Sequence, residues 1–467
     1  MLFNTIPFLI FLPLVFFGYW ILKPNHRNVF LLIASYYFYF SYNPWFLILL
    51  IGTSALDYYL AKLISRTDLI RKRKCLLLVS LISNIGLLFV FKYFVFFYNS
   101  SLQLFSPYSL LLTQLIIPAG LSFYTFQSIS YTIDVFRNKY KATDSLQDFL
   151  LFVSFFPHMV AGPIMRHDDL MPQLKVTHHF KTIDWEAFAK LTIWGFFKKM
   201  VIADNLALIV DPAFDNLNLH FNSVEFVLIG FLFLIQLYAD FSGYSDIAMG
   251  VAKLFKINLM LNWKRPLLAT SITDYWQRHH ISLTNWFKEY VYFSLGGNKV
   301  KAARWIFNIL IVFLLSALWH GSNFTFMVWG LLNGVFYVIE KGIRNLKFNT
   351  PILIKRIYTL CFISIFFIAF RVSTMQDLSH IYRTIFLEFS FKGGFTHFFS
   401  LDNHMFFFMI FLFLIILFFK EIYDEFQFVS VGQYLKNWSS PSFYFIVLFL
   451  IFAFGNFNAN SFIYFQF

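Results

Sequence analysis

Apolar runs separated by short polar breaks dominate this chain. They fall near residues 6 to 22, 28 to 42, 45 to 61, 75 to 98, 108 to 136, 187 to 204, 224 to 250, 305 to 339, 352 to 371, 403 to 419 and 441 to 455. A helix needs about 20 apolar residues to cross a bilayer, and the run from 305 to 339 has room for one or two passes, so the pattern predicts roughly 11 to 13 crossings. That defines an all-α polytopic membrane protein. The first run, Ile6 to Ile21, lacks a basic leader and an A-x-A cleavage site and reads as an uncleaved first span.

Three stretches break the pattern. Residues 149 to 172 are apolar but interrupted by Pro157, Gly162 and Pro163, which predicts a re-entrant or interfacial segment carrying His158. From Ser271, capping-box spacing to Asp274 precedes Trp276, His280, Leu283, Phe287 and Tyr290 at helical steps, ending at Gly296-Gly297. The spacing predicts one amphipathic helix at the interface, with His280 and Trp276 on a shared face. The third stretch, Arg304 to Glu340, has no charged residue between its ends and holds His320 at its centre. Its halves, Trp305 to His320 and Phe324 to Ile339, reach only about 24 Å each as helices. The expectation is therefore a turn at Gly321, Ser322 and Asn323 inside the membrane, with His320 facing an internal cavity. An ionisable group at that depth marks a functional site.

Composition agrees with the membrane reading: 467 residues, 59% hydrophobic, 13% charged, and a mean hydropathy of +0.64. Net charge is +13, from 37 Lys and Arg against 24 Asp and Glu, but the basic residues flank apolar runs as the positive-inside rule requires. Nucleic-acid binding is excluded as the explanation because no such motif accompanies the charge. Lys62, Arg66, Arg71, Lys72, Arg73 and Lys74 place their loop in the cytoplasm. Counting spans puts Lys23, Arg27, Arg137, Lys139 and Lys141 on the same side and the N-terminus outside. Between Val251 and Arg304 nine basic residues face two acids, Asp274 and Glu289, which makes that segment cytoplasmic too. Cys75 and Cys361 suggest neither a disulfide framework nor a metal site.

Within the run 236 to 250, Asp240 and Asp246 stand beside Tyr238, Tyr244, Ser242 and Ser245. A buried carboxylate there needs a partner or a wet cavity, and a helix-pairing network and a substrate site both satisfy that need. His179 and Asp184 have H-x4-D spacing without the accompanying acyltransferase motifs and read as coincidence. No duplicated halves, glycine-rich phosphate loop, HExxH or G-x-S-x-G appears.

The runs PAGLSFYTFQSISYTIDVFR, FVSFFPHMVAGPIMR, GFFKKMVIADNLA, YADFSGYSDIAMG, YWQRHHISLTNWFKEYVYFSLGGNK, ALWHGSNFTFMVWGLLNG and SFIYFQF together resemble the membrane-bound O-acyltransferase family. The likeness is to its bacterial branch of alginate and peptidoglycan O-acetyltransferases, and more distantly to the teichoic-acid D-alanylation branch. It covers 1 to 467 as one multi-pass domain and is densest from 118 to 340. The resemblance implies a ring of helices around a central tunnel, with re-entrant and interfacial helices. His320 of the WHG motif is then the catalytic residue and His280 the second catalytic position. His279 stands where tryptophan commonly precedes that second histidine, which leaves the choice between His279 and His280 open, with Ile281, Ser282 and Leu283 favouring His280.

Trp319, Asn323, Trp276, Asp240 and Tyr244 are the candidate tunnel or substrate residues. The resemblance further implies a cytoplasmic thioester donor such as acetyl-CoA, no tightly bound cofactor, and a polysaccharide acceptor outside the cytoplasmic (inner) membrane. An extracytoplasmic acyltransferase partner protein would complete the transfer. Neutral imidazole suits the deprotonation of an attacking hydroxyl. Lys264, Arg265, Lys299 and Arg304 stand where a donor's phosphates would be drawn. The competing class is a transporter or flippase for an acylated carrier or glycan, which repeats or paired broken helices would favour; neither is visible. A scaffold for a secretion machine is weakened by the polar groups at membrane depth.

Overall fold

The computed structural model describes residues 1–94, 96–98, 117–215, 221–344, 350–390, 404–426, 441–457 and 462–463. Every regular element among them is helical. Among the described residues seven helices are long and apolar enough to cross a membrane: Pro44–Arg66, Ile70–Tyr93, Ser223–Lys253, Ala302–His320, Phe324–Ile343, Ile352–Arg371 and Met405–Phe426. This is a multi-pass α-helical membrane protein.

The remaining runs differ for local reasons. Ile6–Ile21 and Pro441–Phe454 are apolar but short. Of the run 28 to 42, residues 28 to 40 lie in the 17-residue helix Pro24–Phe40, whose first turns carry Asn25, His26, Arg27 and Asn28. Residues 187 to 203 divide between an α-helix, Trp185–Phe196, and a π-helical turn, Phe197–Ala203, and Asp204 opens the next helix, Asp204–Asp215. The run from 108 begins outside the described residues, and so does most of the SFIYFQF motif.

One compact unit comprises Met1–Thr192 and Ser245–Leu261. Its helix Leu121–Phe136 buries all but Ile133 and Phe136. Gly120 precedes that helix at φ 72, and a Cβ there would lie 2.4 Å from the Met159 carbonyl oxygen, so only glycine fits. Between Pro44–Arg66 and Ile70–Leu88, the buried Asp57 accepts from Ser80 Oγ at 2.6 Å and from Asn84 Nδ2 at 2.8 Å.

The segment expected to be broken is broken here. Short helices Leu146–Ser154 and Phe156–Met159 give way to irregular backbone before His167–Leu174, and Phe155, Ala161, Ile164 and Met165 are fully enclosed by protein. His158 is buried with Nε2 3.2 Å from Gln127 Oε1, and Gln127 Nε2 in turn donates to the Phe152 carbonyl at 2.7 Å. This network ties two helices together. Asp184 Oδ1 accepts from Ala187 N at 3.0 Å as a helix cap, which accounts for it without His179.

The other unit comprises Ile193–Tyr244 and Asn262–Phe467. Asp240 is buried against Lys199 at 2.7 Å, and Lys199 also meets Asp204 at 2.9 Å. Lys198 Nζ donates to Ser242 Oγ at 2.9 Å, and the Tyr238 hydroxyl donates to Glu421 Oε1 at 2.7 Å. Ile463 N donates to Asp240 Oδ2 at 2.7 Å, while Phe462 packs on Phe241 and Tyr244 at 5.2 Å each. Asp240 thus holds the Ile463 amide and Tyr244 packs on the Phe462 ring, near the C-terminus.

The hairpin around His320 corrects the sequence expectation. Its helices are Ala302–His320, 19 residues, and Phe324–Arg344, 21 residues, or about 28 and 31 Å at 1.5 Å per residue. Both continue through the charged residues taken as ends, so length alone does not draw the turn into the membrane. Arg304 rests its guanidinium over the Phe307 ring at 5.0 Å. Glu340 accepts from Ile272 N at 2.6 Å and Thr273 N at 3.3 Å, capping the helix Ile272–Arg278. The hairpin is sealed by Gly330, where a Cβ would meet the Ala317 methyl at 2.7 Å and the Phe313 carbonyl oxygen at 2.8 Å. Gly334, one turn on, faces Leu310 and Phe313, a small-xxx-small seam.

The single amphipathic helix is a second correction. The chain forms two helices, Ile272–Arg278 and Ile281–Phe287, followed by a π-helical turn, Lys288–Tyr292. The cap at Ser271 is present, its side chain accepting from Asp274 N at 2.9 Å. The break falls at His280, whose φ is 45. A non-glycine residue held there is strained, and surrounding contacts must hold it.

Candidate active site

His320 is the last residue of its helix. The chain leaves at once in extended conformation through Gly321, whose amide bonds back to the Ala317 carbonyl at 3.2 Å. His320 is 6% exposed, and its imidazole meets three rings edge to face: Trp319 at 4.9 Å, Trp329 at 5.2 Å and Phe370 at 5.2 Å. Phe326 braces Phe370 at 4.9 Å.

His280 is positioned by Asn262. Asn262 Oδ1 accepts from Ser282 N at 3.1 Å and Ser282 Oγ at 2.9 Å, and it lies 3.3 Å from His280 Nδ1. The Asn262 carbonyl accepts from Ile281 N at 2.9 Å. These bonds hold the left-handed turn, and the contact to an acceptor oxygen assigns the proton to Nδ1, leaving Nε2 as the acceptor nitrogen. The ring packs on Phe241 at 4.8 Å and stands 6.0 Å from Trp319. The Trp319 indole thus approaches both histidines, which the sequence separates by the helix Ile281–Phe287, a π-helical turn, a loop and the helix Ala302–His320.

His279 is occupied otherwise. Its Nδ1 and the Tyr275 hydroxyl share a 2.7 Å hydrogen bond, and Trp263, Trp276 and Phe367 wall it in at 4.5, 5.2 and 5.8 Å. Burial holds the His279 imidazole well below the usual range and pushes His280 down to about 3. Both are neutral hydrogen-bonding groups at ordinary pH, and His280 is a weak proton acceptor.

The other candidates divide. Trp319 and Trp276 belong to this aromatic cluster, Trp276 through Trp329 at 5.7 Å. Asn323 Nδ2 donates to the Ser373 carbonyl at 3.3 Å, tying the turn to the chain beyond the Ile352–Arg371 helix. Asp240 and Tyr244 make the contacts described above. Of the basic candidates, Arg265 pairs with Glu425 at 2.8 Å, while Lys264, Lys299 and Arg304 are exposed. Sequence reasoning missed Asn262, Trp329 and the capping role of Glu340. Only Trp329 left a signal, lying nine residues past His320 on the facing helix.

A fold of membrane-spanning helices agrees with the comparisons. The model of the membrane-bound O-acyltransferase family matches residues 141–382, and the chain belongs to that family: it is a membrane-bound O-acyltransferase. Its relatives include the probable alginate O-acetylase of Pseudomonas aeruginosa, 36% identical over 396 residues, covering 83% of this chain and 75% of that one. The peptidoglycan O-acetyltransferase of Helicobacter pylori is 34% identical over 419 residues, covering 81% and 78%. The teichoic acid D-alanyltransferase of Bacillus subtilis is 27% identical over 230 residues, covering 46% and 57%.

Proposed function

We propose that residues 1–467 act as one domain of the cytoplasmic (inner) membrane of a bacterium, moving an acetyl group from cytoplasmic acetyl-CoA towards hydroxyls of an extracytoplasmic polysaccharide. The acceptor is an alginate-like polymer, peptidoglycan or another envelope glycan, and an extracytoplasmic acyltransferase partner completes the transfer. The observation that carries this reading is the approach of the Trp319 indole to both His320 and His280, at 4.9 and 6.0 Å. Relatives named for acetylating alginate and peptidoglycan support the acyl group and acceptor class. Exposed Lys264, Lys299 and Arg304 support a phosphate-bearing donor.

In this mechanism His320 is the general base. The acceptor oxygen adds to the thioester carbonyl carbon while its proton passes to the imidazole. The tetrahedral intermediate collapses with cleavage of the C–S bond, and the thiolate takes the proton back. A positioned base contributes about 10²- to 10⁴-fold. His280, too weak a base for that step, accepts through Nε2 and orients the reacting groups, with Trp319 and Trp276 as the wall between them. Aromatic enclosure limits loss of the thioester to water. Asn323 anchors the turn, and Asp240 and Tyr244 hold the fold.

His320→Ala tests the assignment. It is expected to abolish polysaccharide O-acetylation while the protein still inserts into membranes at wild-type abundance. Near-normal acetylation in that variant overturns the reading.

A further inference from the structure

The Phe324–Arg344 helix carries a line of polar side chains that the acyl-transfer reading leaves unused. Thr325, Trp329 and Asn333 recur every four residues, so they stack on one face, about 100° around the helix from the glycine seam. Their exposures are 1%, 1% and 0%. Thr325 Oγ1, Trp329 Nε1 and Asn333 Oδ1 each lie out of reach of solvent with no hydrogen-bond partner among the described residues. The orientation of the Asn333 amide is fixed, because Nδ2 donates to the Trp329 carbonyl at 2.8 Å and leaves Oδ1 unpaired. Trp276, whose ring lies 5.7 Å from that of Trp329, also has a buried indole N–H without a partner. The same Trp329 ring stands 5.2 Å from the His320 imidazole.

Buried polar groups are nearly always paired, because nothing inside the protein otherwise replaces the water they gave up. Several unpaired groups on one helix face beside a candidate base are accounted for by a ligand that pairs them. The groups state what that ligand offers: the indoles only donate, the Asn333 carbonyl oxygen only accepts, and a threonine hydroxyl does both.

Resting on the acyl-transfer reading, we propose that this face holds the acyl donor. The Trp329 N–H, seconded by that of Trp276, donates to the thioester carbonyl oxygen. Asn333 Oδ1 accepts an amide N–H from the arm that carries the sulfur. Trp329 and Asn333 are separated by about 6 Å of helix rise, the scale of a thioester followed by an amide two carbons from the sulfur. When the acceptor oxygen adds to the carbonyl carbon, the C=O electron pair moves onto the oxygen that Trp329 holds. The proton of the acceptor hydroxyl goes to His320; as the C–S bond breaks, the electron pair re-forms the C=O and the leaving thiolate takes the proton from the imidazole.

The test uses membranes from cells expressing the full chain, supplied with radiolabelled acetyl-CoA, reading label transferred to envelope polysaccharide. Trp329→Phe keeps an aromatic ring and deletes the donor. Its turnover is expected to fall about 10²-fold, with the acetyl-CoA KM within about threefold of wild type. Its thermal midpoint is expected not to fall, since an unpaired buried N–H is removed. Asn333→Leu is expected to raise the KM for acetyl-CoA about tenfold with turnover preserved.

Trp329→Phe turnover within about twofold of wild type overturns the proposal, as does loss of turnover only in step with loss of folded protein. Wild-type KM in Asn333→Leu removes the amide contact. His320→Ala is run alongside: wild-type membranes that transfer no more label than His320→Ala defeat the acyl-transfer reading and this proposal with it. An active wild type with unaffected Trp329 and Asn333 variants defeats this proposal alone.

Discussion

Lys199 Nζ lies 2.7 Å from Asp240 Oδ1, and neither side chain is more than 5% exposed. A second carboxylate, Asp204, approaches the same ammonium at 2.9 Å. Breaking such a buried cluster from the cationic side leaves two buried carboxyl groups without the ammonium that pairs them. Lys199→Met is expected to cost about 3–5 kcal/mol of stability, read as a lowered thermal midpoint of the purified protein, and adding Asp240→Asn should recover part of it. Asp240→Asn alone keeps an oxygen acceptor for Ile463 N. Its folded fraction is expected to turn over within about threefold of wild type. A specific collapse of turnover in stable Asp240→Asn protein would return Asp240 to the substrate.

The turn at His280 separates conformation from chemistry. At φ 45 an alanine is strained by about 1–2 kcal/mol, whereas asparagine tolerates the left-handed region. His280→Asn is therefore expected to match wild type in thermal stability where His280→Ala does not, while both lose turnover if the ring itself positions substrate. Comparing the two midpoints with the two rates decides the point.

The pH dependence carries a sign. Burial lowers His280 to about 3, so this ring stays neutral across the range of about pH 5 to 8 in which ordinary histidines titrate. A group with a depressed value disfavours its own protonation, so acid must reach that low value before His280 gains charge in the folded protein. The acid limb of turnover against pH is expected to keep its midpoint in His280→Asn. A displaced midpoint in that variant would show His280 titrating in the working range.

Much of this site was legible and some of it was not. The WHG histidine stood out because a charged or ionisable group in an apolar run is costly whatever surrounds it. The ends of its helices were misread because Arg304 and Glu340 looked like stops. The Phe307 ring and the amides of Ile272 and Thr273 receive them instead, and such tertiary partners leave no local trace. The break at His280 depends on Asn262, 18 residues earlier, and the periodicity ran through it undisturbed. The Tyr275 hydroxyl that engages His279 is a partner that the sequence pattern does not announce. The Asp240 partner, Lys199, lies on a π-helical turn whose register no 3.6-residue pattern anticipates.

Glu340 supplies the next prediction. Its carboxylate caps Ile272–Arg278, the helix that carries Trp276 to the aromatic cluster. Glu340→Ala leaves two amides without that acceptor and is expected to cost about 1–2 kcal/mol. Faster hydrogen exchange should be confined to Ile272, Thr273 and their turn. Unchanged protection of those two amides would mean the cap is replaceable.

Gly330 is a demanding position in the seam between the two helices of the hairpin. A Cβ there would stand 2.7 Å from the Ala317 methyl and 2.8 Å from the Phe313 carbonyl oxygen, whereas at Gly334 the nearest contact is 3.1 Å from the end of the Leu310 side chain. The first pair is rigid and the second can yield. Gly330→Leu must therefore force the two helices apart, carrying Trp329 away from His320. Gly334→Ala requires only a small rotation of leucine. In membranes, Gly330→Leu is expected to abolish turnover and to lower the thermal midpoint by several degrees, as overpacking of about 1–3 kcal/mol does. Gly334→Ala is expected to remain near wild type in both. Equal effects at the two positions would mean that the hairpin packs through side chains other than the seam, and that the placement of Trp329 does not depend on it.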